Sequence, residues 1–314
     1  MNPFSFIYGL GVGGKNAIYD RGLRRAQCLQ GPVVSVGNLS VGGSGKTPFI
    51  LLLGGLLQAR GITFDVLSRG YGRTSRGVAI VDSSGSARDF GDEPLLIARQ
   101  LGVPVVIGRS RYHAGLRAEV EFGPQLHLLD DGFQHRQLTR DFDIVLITQR
   151  DVHDILLPVG RLREPLRSLD RADAVVLMDS LDVNLLPLKN QSVWRVQRSI
   201  ALGAVPSRPV IFCCIARPER FLQQLVAAGV KPVASKFFPD HHSYTAGDIN
   251  SLHKLRQQSN ADGFITTEKD IVNLGELQSG LSPLAVARVT LNLADADNAV
   301  NTILRRIKER TPRT

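Results

Sequence analysis

A stretch near the start of the chain, Val33-Val-Ser-Val-Gly-Asn-Leu-Ser-Val-Gly-Gly-Ser-Gly-Lys-Thr47, passes from β-branched residues into a glycine-rich turn, then to a lysine and a hydroxyl. An apolar run follows. That order suits a polyphosphate. Glycines let successive backbone N–H groups converge on one phosphate, and the next helix adds the positive end of its dipole. Lys46 is placed to reach the β- and γ-phosphates, and the Thr47 hydroxyl to ligate Mg²⁺. Gly42, Gly43, Ser44, Gly45, Lys46 and Thr47 are therefore the candidate nucleotide-binding residues, with ATP and Mg²⁺ as the expected cofactors. The pattern G-x-x-x-x-G-K-[ST] asks for glycine at position 40, where this chain has Ser40. A strand–helix turn without a ligand is the alternative. Lys46-Thr47 in a strand–turn–helix context favours the phosphate.

Carboxylates stand where such a loop needs them. Leu126-His-Leu-Leu-Asp130-Asp131 is an apolar run ending in two acids. In a phosphate-loop enzyme the C-terminal end of such a strand supplies a second Mg²⁺ contact. Gly91-Asp92-Glu-Pro94 opens a helical stretch, and two readings of Asp92 stand side by side: a helix cap, or a general base taking the proton of an acceptor hydroxyl. Arginines recur in glycine- or proline-framed turns, Ser68-Arg-Gly-Tyr-Gly-Arg73, Gly108-Arg-Ser-Arg111 and Pro158-Val-Gly-Arg-Leu-Arg163-Glu-Pro165, which suits anion contacts. Phe238-Pro-Asp-His241-His242 offers a histidine able to orient a carboxylate base, against the plainer reading of surface histidines.

Two other nucleotide-binding classes do not fit. A partition-type ATPase carries lysine before the glycine pair, where this chain has Val41, and a GTPase needs lysine where Thr267-Glu-Lys-Asp270 has Glu268. The net charge of +9 implies an acidic partner, yet there is no zinc-finger spacing or RNA-binding signature, so nucleic acid is not expected. No apolar run reaches the roughly 18 residues of a spanning helix, and no signal-peptide pattern opens the chain. Cys213 and Cys214 are adjacent, without metal-ligand spacing, and read as packing residues on opposite sides of a strand in a reducing compartment. The first thirty residues combine Phe4, Phe6, Ile7 and Leu10 with Lys15, Arg21, Arg24 and Arg25. They suit one or two short surface helices, packed on the chain's own domain or docked on an anionic membrane surface.

These residues need a frame. Runs at 33–36, 63–68, 78–81, 103–107, 126–129, 143–147 and 174–177 are mostly apolar throughout, which suits strands covered on both faces, with helices between them at 48–60 and 93–101. The fold class is α/β: a doubly wound, mainly parallel phosphate-loop sheet. After 193–197 the chain restarts with strands at 209–215, 233–238 and 263–266 and helices at 218–228 and from about 245, a second, smaller α/β domain. Domain limits of 1–200 and 201–314 follow, the second closing over the site, with a basic tail at 305–313 expected to fray.

Taken together, Tyr19-Asp-Arg-Gly, Val36-Gly-Asn, Gly42-Gly-Ser-Gly-Lys-Thr-Pro48, Ser68-Arg-Gly-Tyr-Gly, Gly91-Asp-Glu-Pro, Asp130-Asp-Gly-Phe-Gln-His135, Gly160 to Pro165, Asp240-His241 and Thr267-Glu-Lys-Asp270 resemble the tetraacyldisaccharide 4′-kinase family of lipid A biosynthesis. They follow the family's order over most of the chain. The resemblance implies ATP-dependent phosphorylation of the 4′-hydroxyl of an acylated disaccharide 1-phosphate, at the cytoplasmic face of the bacterial inner membrane. It also implies two α/β domains joined by a two-stranded hinge. By motif, Lys46 and Thr47 would bind ATP and Mg²⁺, Asp130 and Asp131 would be the metal-proximal acids, and Asp92 the base. His241 would pair with Asp92, with His242 one position away as rival. Arg111 and Arg163 would be active-site arginines, with Arg109 and Arg161 as rivals.

Overall fold

Uninterrupted apolar runs become strands sealed on both faces, because a parallel strand sends its chain back through a helix that covers the sheet. The computed structural model, which describes residues 3–178 and 180–310, follows that rule. The first part of the chain runs α1 (Pro3–Asp20), β1 (Val33–Asn38), α2 (Lys46–Ala59), β2 (Phe64–Ser68), β3 (Ala79–Ile80), α3 (Ala87–Phe90), α4 (Asp92–Leu101), β4 (Val105–Ile107), α5 (Arg111–Phe122), β5 (Leu126–Asp130), β6 (Phe142–Ile147), α6 (Gln149–Val152), β7 (Ala174–Met178) and β8 (Ser192–Ala201). The rest runs β9 (Pro209–Cys213), α7 (Pro218–Ala227), β10 (Ala234–Phe237), α8 (Ala246–Gln258), β11 (Gly263–Thr267), α9 (Glu268–Leu274), β12 (Leu284–Leu293) and α10 (Ala296–Arg310).

All these strands join one sheet in the order β10-β9-β11-β12-β8-β7-β6-β1-β5-β2-β4-β3. Pairing is parallel except between β3 and β4 and between β8 and β12. The β8–β12 ladder, Arg288 opposite Ala201 through Leu293 opposite Val196, is the seam between a larger and a smaller half. At the centre, Val36 of β1 lies opposite Asp130 of β5 and Ile144 of β6. That register sets the turn after β1 beside the acids that end β5. Phe49, Ile50, Leu53 and Leu57 bury one side of α2 against the sheet, which fixes the turn's far end.

Several elements depart from the sequence reading. The N-terminal segment forms one helix, α1. Strand β12 was not anticipated: its residues alternate between covered and open positions and so lack an unbroken apolar run. Helix α5 begins inside a basic turn. The tail does not fray over 305–310: α10 is helical to Arg310, whose guanidinium holds Asp173 at 2.8 Å, while 311–313 lie outside the described residues. Ala299, Val300 and Ile303 of α10 join the core that α2 and β6 share, so the chain's last helix packs on the larger half. Cys213 and Cys214 pack in separate clusters of the smaller half, and burial pushes the Cys214 thiol up to about 12.

Candidate functional site

The turn from Leu39 to Gly45 holds its shape by backbone conformations that suit glycine. Gly42 and Gly45 both have φ of 89°. A Cβ on Gly45 would also meet the Arg198 guanidinium at 2.8 Å. Ser40, where the usual pattern has glycine, is buried and extended, in an isolated bridge with Leu162, and its Oγ lies 3.3 Å from Asn38 Nδ2. This loop uses the position as a strand-like contact rather than as a bend, so a side chain is tolerated.

Lys46, the first residue of α2, turns its ammonium back into the loop. Nζ donates to Asn38 Oδ1 at 3.0 Å and lies 3.4 Å from Asp131 Oδ1, with Ser44 Oγ at 3.5 Å. Arg163 reaches the same acid with two nitrogens, Nη1 to Oδ2 at 2.9 Å and Nη2 to Oδ1 at 2.8 Å, and Nη2 also donates to Asn38. Lys46 and Arg163 together hold the Asp131 carboxyl well below the usual carboxylate range despite its burial. Asp131 adopts φ of 51°, a left-handed conformation unusual outside glycine, asparagine and aspartate.

Asp130 is in the opposite condition. It accepts from Ser68 Oγ at 2.9 Å, but burial and the nearby carboxylates of Glu93 and Asp131 push it up to about 7. A buried acid that resists ionising beside an ionised one is a place where a divalent cation would be favourable. Asp130 and Asp131 thus fit Mg²⁺. Thr47, half-buried in the first turn of α2, has the hard oxygen such an ion prefers. Arg111 is buried at the start of α5. Burial lowers its pKa while Asp130 and Asp131 raise it, and its Nη1 leans on the carbonyls of Gly108 and Arg109 at 3.4 and 3.3 Å. Its rival Arg109 is exposed. Arg161, the rival of Arg163, turns away to Asp154 at 2.7 Å.

The remaining residues gather at the start of α4. The N-cap position there is Gly91, which has no side chain to cap with. Asp92 follows it, buried, with Oδ1 accepting from the Glu93 amide at 2.8 Å and Oδ2 turned toward the smaller half. There His241 Nδ1 lies at 2.9 Å, Lys269 Nζ at 3.3 Å and Asn273 Nδ2 at 3.4 Å. Burial works against ionisation of Asp92, but the His241 hydrogen bond and the Lys269 charge prevail and lower its pKa to about 2. The hydrogen bond to Asp92 in turn raises the pKa of His241. His242 turns the other way, to Asp248 in the capping box of α8 at 3.0 Å. Asp92 is thus not the N-cap of α4: one oxygen accepts from the next amide and the other faces the smaller half.

Sequence reasoning missed three residues. Lys269 also contacts Asp240 at 3.2 Å and Glu93 at 3.7 Å. Its signal was the string Thr267-Glu-Lys-Asp270: Thr267 and Asp270 form a capping box, which aims the first turn of α9 at Asp92. Asn273 lies one helical turn further along. Asn38, at the end of β1, receives both Lys46 and Arg163.

Helix α1 is attached to the same region. Tyr8 Oη donates to the Arg163 carbonyl at 3.3 Å, Asn16 Nδ2 to Glu164 at 2.8 Å and Ser5 Oγ to the Leu156 carbonyl at 2.7 Å. A Cβ on Gly9 would stand 2.9 Å from Leu156 Cδ1, so glycine permits the close approach. Beside this contact a groove of about 840 Å³ runs between α1 and the segment 154–171. Phe4, Ile7 and Leu10 are 66%, 65% and 60% exposed. Among the described residues, no helix is long and apolar enough to cross a membrane.

Comparison with known proteins gives this geometry a context. The family model described as tetraacyldisaccharide-1-P 4′-kinase matches residues 1–308. A tetraacyldisaccharide 4′-kinase of Koribacter versatilis is 52% identical over 320 residues, covering 99% of each chain. One from Aquifex aeolicus is 36% identical, covering 87% of this chain and 88% of its own. The fold superposes, with a TM-score of 0.80 and 33% identity, on a crystal structure of Aquifex aeolicus LpxK in complex with ATP, over 97% of this chain and 98% of that one.

Proposed function

The chain belongs to the tetraacyldisaccharide-1-P 4′-kinase family, and on that premise we propose that it transfers the γ-phosphoryl group of ATP to the 4′-hydroxyl of an acylated disaccharide 1-phosphate, a step of lipid A biosynthesis. The observation that carries the reading is the pairing of Asp92 with His241 and Lys269, next to Glu93, whose carboxylate bears on Asp130. A phosphate-binding loop serves many chemistries. A carboxylate held ionised where the two halves meet suits an acceptor hydroxyl.

In this mechanism Lys46 and the amides of residues 42–47 bind the triphosphate. Arg111 and Arg163 add positive charge where the transferring group gains negative charge. Mg²⁺, held by Thr47, Asp130 and Asp131, would neutralise phosphate charge. Asp92 orients the 4′-hydroxyl and accepts its proton. A carboxylate with a pKa near 2 is a weak base at rest, but phosphoryl transfer has a loose transition state in which the hydroxyl is acidified as the new bond forms. His241 and Lys269 keep the carboxylate ionised and aimed until then. The smaller half, residues 201–314 apart from α10, acts as the closing domain.

The same reading puts the protein at the cytoplasmic face of the bacterial inner membrane as a peripheral protein. Exposed Phe4, Ile7 and Leu10 on α1 enter the headgroup boundary of an anionic membrane surface, and Lys15, Arg21, Arg24 and Arg25 meet lipid phosphates. Incubation with γ-labelled ATP, Mg²⁺ and the disaccharide 1-phosphate in mixed vesicles tests both statements. Label should appear on the 4′-oxygen, and transfer should slow several-fold in neutral vesicles or at 1 M salt, where the Debye length falls to about 3 Å. Label released only as inorganic phosphate would sink the kinase reading. Transfer indifferent to lipid charge and salt would sink the membrane contact alone.

A further inference from the structure

Three strand ends of the smaller half face the site, and two have been assigned: β10 leads to His241 and β11 to Lys269. The third, β9, leads into Cys214-Ile-Ala-Arg217. This turn is firmly held. The Cys214 amide donates to Asp270 Oδ1 at 2.7 Å, and Asn273 Nδ2, which also reaches Asp92, lies 3.4 Å from Cys214 Sγ. The turn also meets the phosphate-binding loop, since a Cβ on Gly43 would stand 3.5 Å from Ala216 Cβ. Arg217 is the next residue.

The surroundings of Arg217 are cationic. The charges of Arg161, Arg150 and Arg220 bear on it, with Asp151 of opposite sign. Burial and these neighbours lower its pKa. The Arg161 carbonyl accepts from the Val41 amide at 2.9 Å, so the cluster borders the same loop. Asp151 directs Oδ2 to the amide and hydroxyl of Thr148, each at 2.7 Å, and its buried Oδ1 has no hydrogen-bond partner. Arg217 Nη2 is also buried without a hydrogen-bond partner among the described residues. A strong donor left unsatisfied among repelling charges is relieved by an anion, and guanidinium groups match phosphate oxygens in geometry.

We propose that Arg217 is a catalytic residue contributed by the smaller half, its guanidinium contacting the triphosphate seated in the loop on the side of Gly42 and Gly43. The inference rests on the kinase reading above. During transfer the bond from the γ-phosphorus to the β–γ bridging oxygen breaks and the bond to the acceptor 4′-oxygen forms. The hydroxyl proton passes to Asp92, and the electron pair of the broken bond stays on the β-phosphate of ADP. Arg217 neutralises that growing charge, as a cation delivered from a second structural unit does in other phosphoryl transferases. Binding of the triphosphate thereby also draws the smaller half onto the loop.

The test compares wild type, Arg217→Gln and Arg217→Lys as full chains. The readouts are kcat, KM for ATP, affinity for a non-hydrolysable ATP analogue with Mg²⁺, and melting temperature with and without that analogue. Arg217→Gln should lower kcat at least 30-fold and weaken the analogue about three- to tenfold, with the melting temperature of the nucleotide-free protein unchanged within about 2 °C. Arg217→Lys should recover part of kcat. Wild-type kcat and affinity in Arg217→Gln would overturn the proposal. So would equal losses in both variants accompanied by a lowered melting temperature without nucleotide, which would make Arg217 a brace between the halves. A wild-type protein that neither binds the analogue nor transfers phosphate would instead overturn the kinase reading, and this inference with it.

Discussion

The two ends of the site are built on different plans. At the phosphate end, Lys46, Asn38, Asp131 and Arg163 all come from the larger half and contact one another directly. At the acceptor end, Asp92 comes from the larger half, while His241, Lys269 and Asn273 come from the smaller. None of the phosphate-end contacts involves the smaller half. The contacts of Asp92 with His241, Lys269 and Asn273 all cross between the halves. If the proposed base is completed only when the halves meet, it would not be available to activate water beside a bound triphosphate.

The largest effect should come from the phosphate end. Lys46→Ala removes the cation that follows phosphate charge into the transition state, and kcat should fall by two orders of magnitude or more while the far-ultraviolet circular dichroism is retained. Near-normal turnover in that folded variant would break the comparison at its first term.

The acceptor end should show coupling. Asp92→Ala and His241→Ala should each lower kcat about 100-fold, with the double variant within about threefold of the poorer single one, as expected for residues acting as one unit. Multiplicative losses would show that Asp92 and His241 act independently. A pH series sharpens the point. His241 has a raised pKa in the folded protein. Its stabilising contribution is complete below the ordinary histidine value of about 6.5 and fades as pH rises through the raised value. The excess melting temperature of wild type over His241→Ala should therefore shrink between pH 6 and pH 9. Asp92, lowered to about 2, keeps its contribution until far into acid. A difference that grows with pH would contradict the assigned pair.

The smallest effect should come from Ser40→Gly, which restores the glycine of the usual loop pattern. Ser40 is extended and bridged to Leu162. Glycine there gains no useful conformation and loses about 0.5–1 kcal/mol to chain entropy. Activity should stay within threefold of wild type in a steady-state assay, and a tenfold loss would show that the serine side chain takes part in the site.

What the sequence made legible divides along the same line. The phosphate end was readable because its chemistry is local: strand, glycines, Lys46 and Thr47 are contiguous, and β5 runs apolar straight into Asp130. The acceptor end was readable only as fragments. Asp92 allowed two roles because capping and base chemistry use the same residue type at the same place. His241 and His242 are adjacent, and only the turn at His241, with φ of 60°, sends them in opposite directions. Lys269 was hidden in a string that invited comparison with a base-reading motif, while Thr267 and Asp270 were forming a cap. Strand β12 was missed because its outer face is open, and α10 because a run of arginines reads as solvated until Asp173 is found beneath it.

The return of α10 to the larger half has a mechanical consequence. The polypeptide crosses between the halves twice, outward along β8 and back along β12, and these crossings are hydrogen-bonded to each other over six residue pairs. The smaller half is thus an insertion clamped at both ends, not an appendage on a single thread. A paired ribbon can bend and twist but resists sliding, since sliding would break the ladder bonds that hold its register. Any motion of the smaller half against the larger would have to be carried by that paired strip. His241, Lys269 and Arg217 all lie beyond this strip, so their placement against the larger half is set through two hydrogen-bonded strands rather than one.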